Sequence, residues 1–280
     1  MPRITPCLWY DATAGEAIDC YVACFRDGQV LWRNDDPSGT LTLAGFRLAN
    51  LDLMALAGNS HAPFTPAVSF FVGCETGEEL NALWAALSEG GMTLMELQEY
   101  PFSPKFGWVQ DRFGISWQLS LTGTPQTVTP FLMYVGDQCG RAEEAINRYV
   151  GVIPDSHPGN VERHDGKVMV ANFTLAGLDV MASDSDAPHQ FTFSEATSFM
   201  ISCETQAEID HHWNGLLEGG GTPGQCGWLK DAYGVSWQVV PQVLGELLQD
   251  PDPDRAKRVM QAMLRMGKID IAGLQAAAQA

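Results

Sequence analysis

The chain is an internal duplication, and this constrains its fold more than any other feature. Ile4-Thr5-Pro6-Cys7-Leu8-Trp9-Tyr10 answers to Val128-Thr129-Pro130-Phe131-Leu132-Met133-Tyr134, and Glu16-Ala17-Ile18-Asp19-Cys20-Tyr21-Val22 answers to Glu144-Ala145-Ile146-Asn147-Arg148-Tyr149-Val150. Further on, 46–54 (FRLANLDLM) matches 173–181 (FTLAGLDVM), 67–76 (AVSFFVGCET) matches 196–205 (ATSFMISCET), and Trp84 pairs with Trp213. The closing words, 107–118 (GWVQDRFGISWQ) and 227–238 (GWLKDAYGVSWQ), are nearly the same. Matching words in one order imply one supersecondary plan used twice. The expected organisation is a first module at 1–124, a second at 125–241 and an uncopied tail at 242–280; a chain of 280 residues is long enough for two domains with their own cores.

Local signals recur in both repeats. A short apolar strand at 7–10 leads to a helix whose Ala17, Ile18, Tyr21, Val22 and Phe25 form one stripe. Two strands follow. A second helix opens at Thr76-Gly77-Glu78-Glu79, mirrored by Thr205-Gln206-Ala207-Glu208, where hydroxyl and carboxylate can satisfy orphan amides reciprocally. It stops at Gly90-Gly91, and its copy at Gly219-Gly220-Gly221. Gln110-Asp111-Arg112-Phe113-Gly114 then reads as a hairpin connection. Gly91 to Gly107 spans sixteen positions where Gly220 to Gly227 spans seven, so the first repeat carries nine extra residues around Tyr100, either a longer hairpin or a lid. In the tail, Ala256, Val259, Met260, Met263 and Leu264 lie at helical spacing, which predicts a helical appendage packing across the modules.

With 16 basic against 34 acidic side chains, the net charge of -18 repels phosphate backbones and anionic headgroups, so neither nucleic acid nor a membrane is expected as a partner. No run approaches the roughly 18 apolar residues that span a bilayer. The first residues lack an apolar secretory region, and a cytoplasmic protein is expected. The 7 Cys residues form no CxxC and read as reduced structural thiols.

Alternation assigns faces to the strands. Ile115, Trp117 and Leu119 share one side, as do Val235, Trp237 and Val239, which places both tryptophans in the core. Ser116 and Gln118, or Ser236 and Gln238, take the other. By the same rule Ser69 and Phe71, Ser198 and Met200, Asp52 and Met54, and Asp179 and Met181 oppose apolar neighbours. These twelve residues mix oriented polar groups with Phe and Met, as a small-molecule cleft requires. Alternatively Asp52, Asp179, Gln118 and Gln238 only bridge the modules. Were Asp52 and Asp179 to face one cleft, their proximity could raise one pKa and leave a shared proton. Tyr10, Tyr134, Trp108 and Trp228 either line the cleft or join the core. His61, His157, His164 and His189 fall in loop-like segments, while His211 and His212 are adjacent on a helix and point apart.

The order of elements, the duplication and the words CGWLKDAYGVSWQ and RVMQAMLRMGKIDIAGLQAA resemble, over nearly the whole chain, PhnB-like proteins named after a 3-demethylubiquinone-9 3-methyltransferase domain. These form a branch of the vicinal oxygen chelate (glyoxalase/bleomycin resistance/dioxygenase) superfamily. The resemblance implies an α+β fold of two tandem βαβββ modules whose curved, antiparallel-rich sheets form a cleft, with the helical tail added. It also implies, for the superfamily's enzymes, a divalent metal held by His and Glu from four strands. At those positions this chain has Thr5-Pro6 and Thr129-Pro130, Ser69 or Ser198, and Gln118 or Gln238. Only Asp52 and Asp179 remain as weak candidate ligands, too few for a tight site. The expectation is a small organic ligand bound in the cleft without a cofactor. The alternative is a divalent-metal-dependent lyase, isomerase or dioxygenase. Methyl transfer ranks lower, since no glycine-rich loop follows a strand and opens a helix, and so does a protein-interaction scaffold. Self-association into a homo-oligomer is left open.

Overall fold

The computed structural model describes residues 3–36, 38–58 and 62–279; the His61 expectation lies outside them. Each repeat carries the βαβββ order twice. The first repeat runs β1 (Arg3–Tyr10), α1 (Ala14–Cys24), β2 (Gln29–Asp35), β3 (Leu41–Leu48) and β4 (Leu51–Ala57). It continues through β5 (Val68–Cys74), α2 (Gly77–Ser88), β6 (Met92–Tyr100), β7 (Ser103–Gln110) and β8 (Ser116–Leu121). The second repeat runs β9 (Thr127–Val135), α3 (Ala142–Val152), β10 (His157–His164), β11 (Lys167–Leu175) and β12 (Leu178–Ser185). Then come β13 (Thr197–Cys203), α4 (Gln206–Leu217), β14 (Thr222–Pro223), β15 (Trp228–Lys230) and β16 (Ser236–Pro241). Strands β2 and β10 are mostly exposed edges, so they carry no alternation of buried apolar residues. His157 and His164 consequently sit at the ends of β10, not in a loop.

The first sheet has the order β14-β15-β16-β13-β1-β4-β3-β2 and the second β10-β11-β12-β9-β5-β8-β7-β6. Each eight-stranded sheet therefore joins half of one repeat to half of the other, through the antiparallel seams β1–β13 and β5–β9. Packing follows the repeats instead. One core gathers Tyr21, Phe46, Leu53, Phe70 and Trp117 around α1 and α2; the other gathers Tyr149, Val180, Phe199 and Trp237 around α3 and α4. Since each core draws strands from both sheets, the two sheets turn their apolar faces to a common helix-filled interior. Their opposite faces look away from each other. Trp117 and Trp237 are 0% and 1% exposed, as the alternation requires.

A buried aspartate anchors each closing hairpin. Asp111 Oδ1 accepts from the amides of Phe113 and Ile115, and Oδ2 accepts from Tyr21 Oη at 2.6 Å and Trp117 Nε1 at 2.8 Å. Asp231 repeats this with Tyr233, Val235, Tyr149 and Trp237. The turns close through Gly114 and Gly234, both at φ +93°, a conformation glycine adopts without strain.

The nine extra residues of the first repeat lengthen the β6–β7 hairpin, whose tip is held by contacts among Tyr100, Phe102 and Phe106. They form no lid. In the second repeat that hairpin shrinks, and the tail takes its place: the amides of Cys226 and Gly227 donate to Met266 and Gly267 carbonyls at 2.7 Å. The tail is three helices, α5 (Val243–Leu248), α6 (Pro253–Met263) and α7 (Ile271–Gln279), with its own small core. It is fastened to the second repeat, where Gln206 exchanges hydrogen bonds with Ile269 O and Ile271 N. Of the expected stripe, Val259 is buried, while Met260 and Leu264 point outward. Among the described residues no helix is long and apolar enough to cross a membrane.

Candidate functional site

The twelve candidate residues do not meet in one cleft. Asp52, Met54, Ser198, Met200, Ser236 and Gln238 lie on the outer face of the first sheet; Ser69, Phe71, Ser116, Gln118, Asp179 and Met181 lie on that of the second. Because these faces point apart, Asp52 and Asp179 cannot share a proton. Asp52 instead takes a two-pronged hydrogen bond from the Arg47 guanidinium, and Asp179 accepts from Thr174 Oγ1. The single-cleft expectation fails because strand alternation reveals which face a residue occupies and not which sheet the strand joins.

The outer face of the first sheet holds a cavity of about 610 Å³. Its floor comes from two registered rows that meet on β1. Trp228, Gln238, Met200 and Thr5 pair across β15, β16, β13 and β1; Cys7, Met54, Gly45 and Trp32 pair across β1, β4, β3 and β2. Both repeats thus supply the floor. The roof is the tail: Leu244 and Leu248 of α5 and Met263 of α6. Among the described lining residues none is Asp, Glu, Lys, Arg or His. Gln238 Nε2 donates to Ser198 Oγ at 2.9 Å, and burial pushes the neighbouring Cys7 thiol up to about 11, so it stays protonated.

The second sheet carries the same plan with bulkier contents. Gln118 Nε2 donates to Ser69 Oγ at 2.8 Å, but Phe71 stands where Met200 does, Phe131 where Cys7 does and Asn172 where Gly45 does. What remains is a depression of about 500 Å³ toward Thr129, His157, Asn172 and Asp179. Trp108 Nε1 donates to Ser116 Oγ at 2.7 Å; its counterpart Trp228 packs on Trp9 at 5.4 Å, and Ser236 Oγ is buried without a partner. Tyr10 and Tyr134 belong to the cores, and Trp108 and Trp228 are half-buried.

At two of the positions where the resemblance implies metal ligands, the side chains are Ser and Gln, joined by one amide–hydroxyl hydrogen bond in each sheet, and Asp52 is held by Arg47. Neutral amide and hydroxyl oxygens are weak donors for a tight transition-metal or zinc site. Among the described residues no three of His, Cys, Asp and Glu gather as a ligand set. The residues present do not fit the metal. Nor do α2 and α4 open on a glycine-rich loop: they are capped by Thr76 and Thr205, and Gly219-Gly220-Gly221 follows α4.

The sequence profile described as 3-demethylubiquinone-9 3-methyltransferase matches residues 2–120 and again 126–240. The chain belongs to this family. A PhnB protein from Bacillus cereus is 36% identical over 42% of this chain and 98% of its own, with a TM-score of 0.41. Glyoxalase I from Zea mays is 13% identical, covers 90% of this chain and 98% of its own, and has a TM-score of 0.61, a likeness of fold alone. No curated protein matches this chain. The fold is therefore glyoxalase-like, and the family profile matches twice, so two tandem repeats share one chain.

Residues of the tail and of β2 were missing from the candidates. Trp32 sits on an exposed edge strand and Leu244, Leu248 and Met263 lie outside the duplication, so neither alternation nor repeat matching points to them. The one available signal is Trp32 itself, a large aromatic that follows Val30 and Leu31 and precedes the polar run Arg33-Asn34-Asp35.

Proposed function

We propose that this chain binds a small organic ligand in the cavity on the outer face of its first sheet, without a tightly held metal. The observation that carries the reading is the cavity itself. Its volume, about 610 Å³, falls within the range of roughly 300–1,000 Å³ usual for small-molecule pockets. It has an apolar lining with a few amides that can orient a guest, and a roof provided by a tail that the first repeat lacks. The Gln238–Ser198 pair supports the metal-free part, since it fills two of the ligand positions with groups already bonded to one another. The family's description suggests methyl transfer, and no glycine-rich loop that follows a strand and opens a helix supports a nucleoside methyl donor here.

A thermal-shift screen combined with elemental analysis tests this reading. A ligand that binds only the folded chain at about a hundredfold above its Kd adds about 2.7 kcal/mol and raises the melting temperature. The expected result is at least one stabilising organic compound and no stoichiometric metal. One tightly held Zn, Mn, Ni or Fe per chain, lost on replacing Asp52 or Asp179, would overturn it in favour of a metal-dependent lyase, isomerase or dioxygenase.

A further inference from the structure

The composition of the cavity narrows the ligand class, an inference that rests on the reading above. Ionisable lining is confined, among the described residues, to the thiols of Cys7 and Cys226, so a charged guest would lose its hydration without gaining a partner. Three thioethers, Met54, Met200 and Met263, line the same space; their polarizable sulfurs favour aromatic rings. At the two ends of the floor stand indoles, Trp228 and Trp32. Trp32 lies flat on β3: a Cβ added to Gly45 would come within 2.3 Å of its Nε1.

Comparison of the repeats shows that this space is particular to one sheet. The second sheet fills the corresponding floor with Phe71 and Phe131 and sets Asn172 against Gly45. The first sheet has the smaller or more pliant Cys7, Met200 and Gly45, and it alone has the tail as a roof. Trp228 is also free of the serine that holds Trp108, and Ser236 Oγ is left unpartnered beside Gln238 on the same strand face. We infer that the first sheet binds one uncharged, planar aromatic molecule per chain, lying over the methionines between Trp32 and Trp228. Its polar group meets Gln238, whose Nε2 is committed to Ser198 and whose carbonyl oxygen can accept.

The test is a fluorescence titration of the full chain with N-phenyl-1-naphthylamine and with 1-anilinonaphthalene-8-sulfonate, which share one ring system and differ by a sulfonate. Cyclododecanol serves as the uncharged, non-aromatic competitor. The expected result is one neutral fluorophore per chain, with the sulfonate and the alcohol each weaker by roughly tenfold or more. The double substitution Cys7→Phe/Met200→Phe introduces the side chains of the second sheet and should abolish binding. Trp32→Ala, at a residue 40% exposed and so tolerant of replacement, should weaken binding severalfold with the fold intact. Equal or tighter binding of the sulfonate or the alcohol would overturn the ligand class and leave the cavity reading standing. Two fluorophores per chain would overturn the restriction to one sheet. Binding that survives the double substitution, or no binding by any of the three compounds, would sink the cavity reading along with the ligand class.

Discussion

At the scale of single residues, Asp111 and Asp231 show how a polar group can be structural when every lone pair has a partner. Burial raises both carboxyls above their ordinary value of 3.8, by more than the hydrogen bonds from Tyr21, Trp117 and two amides lower them in the first case. A carboxyl that holds its proton more tightly in the folded chain stabilises the fold fully below the unfolded value and loses that contribution as pH rises through the folded value. Asp111→Asn should cost about 1–3 kcal/mol, because its amide group would meet the Trp117 indole as donor against donor. The advantage of the native chain over this variant, measured by urea unfolding at about pH 4 and about pH 7, should shrink toward pH 7. An advantage that grows with pH would contradict the assignment. The sequence displayed this aspartate twice, at matching places in two hairpins, yet spacing alone could not reveal that Tyr21, ninety positions away, donates to it. The face of each tryptophan was legible because the strand period is two; the partner of each carboxylate was not, because it comes from another element.

At the scale of elements, the capping signals and glycine stops translate directly into helix bounds. Thr205 and Glu208 form the reciprocal box at the start of α4; at α2, Thr76 accepts from Glu79 N, while the Glu79 carboxylate accepts from Glu75 N. Edge strands and the tail's docking were not legible. β2 and β10 are mostly exposed edge strands held by main-chain pairing, and helical spacing in the tail says nothing about what it packs on. The fastening is local and testable. Gln206 uses both ends of its amide on the segment leading into α7, so Gln206→Leu should destabilise that segment by about 1–3 kcal/mol. Hydrogen exchange should accelerate at the Ile271 amide and stay unchanged at Trp117. Equal acceleration at both would mean that the tail and the first repeat unfold as one unit.

At the scale of the whole molecule, the duplication was legible and its consequence was not: matching words reveal two copies but not that the sheets are shared between them. Strand β1 pairs with β13 and β5 with β9, so a half-chain of residues 1–124 would expose two strand edges that the second repeat covers. It should self-associate or fail to fold, and a stable monomer by sedimentation would contradict the shared sheets. The same sharing explains why twelve candidates expected in one cleft divide into two faces, and why Met54 of one repeat and Met200 of the other line one cavity. That last juxtaposition can be measured directly by peroxide oxidation of methionines, mapped by mass spectrometry with and without one equivalent of N-phenyl-1-naphthylamine. Met54 and Met200 should be protected together, while Met169, 60% exposed on the second sheet, should oxidise at the same rate in both samples. Protection of Met181 in place of Met54 and Met200, or of none of the three, would contradict a ligand site built by both repeats on the first sheet.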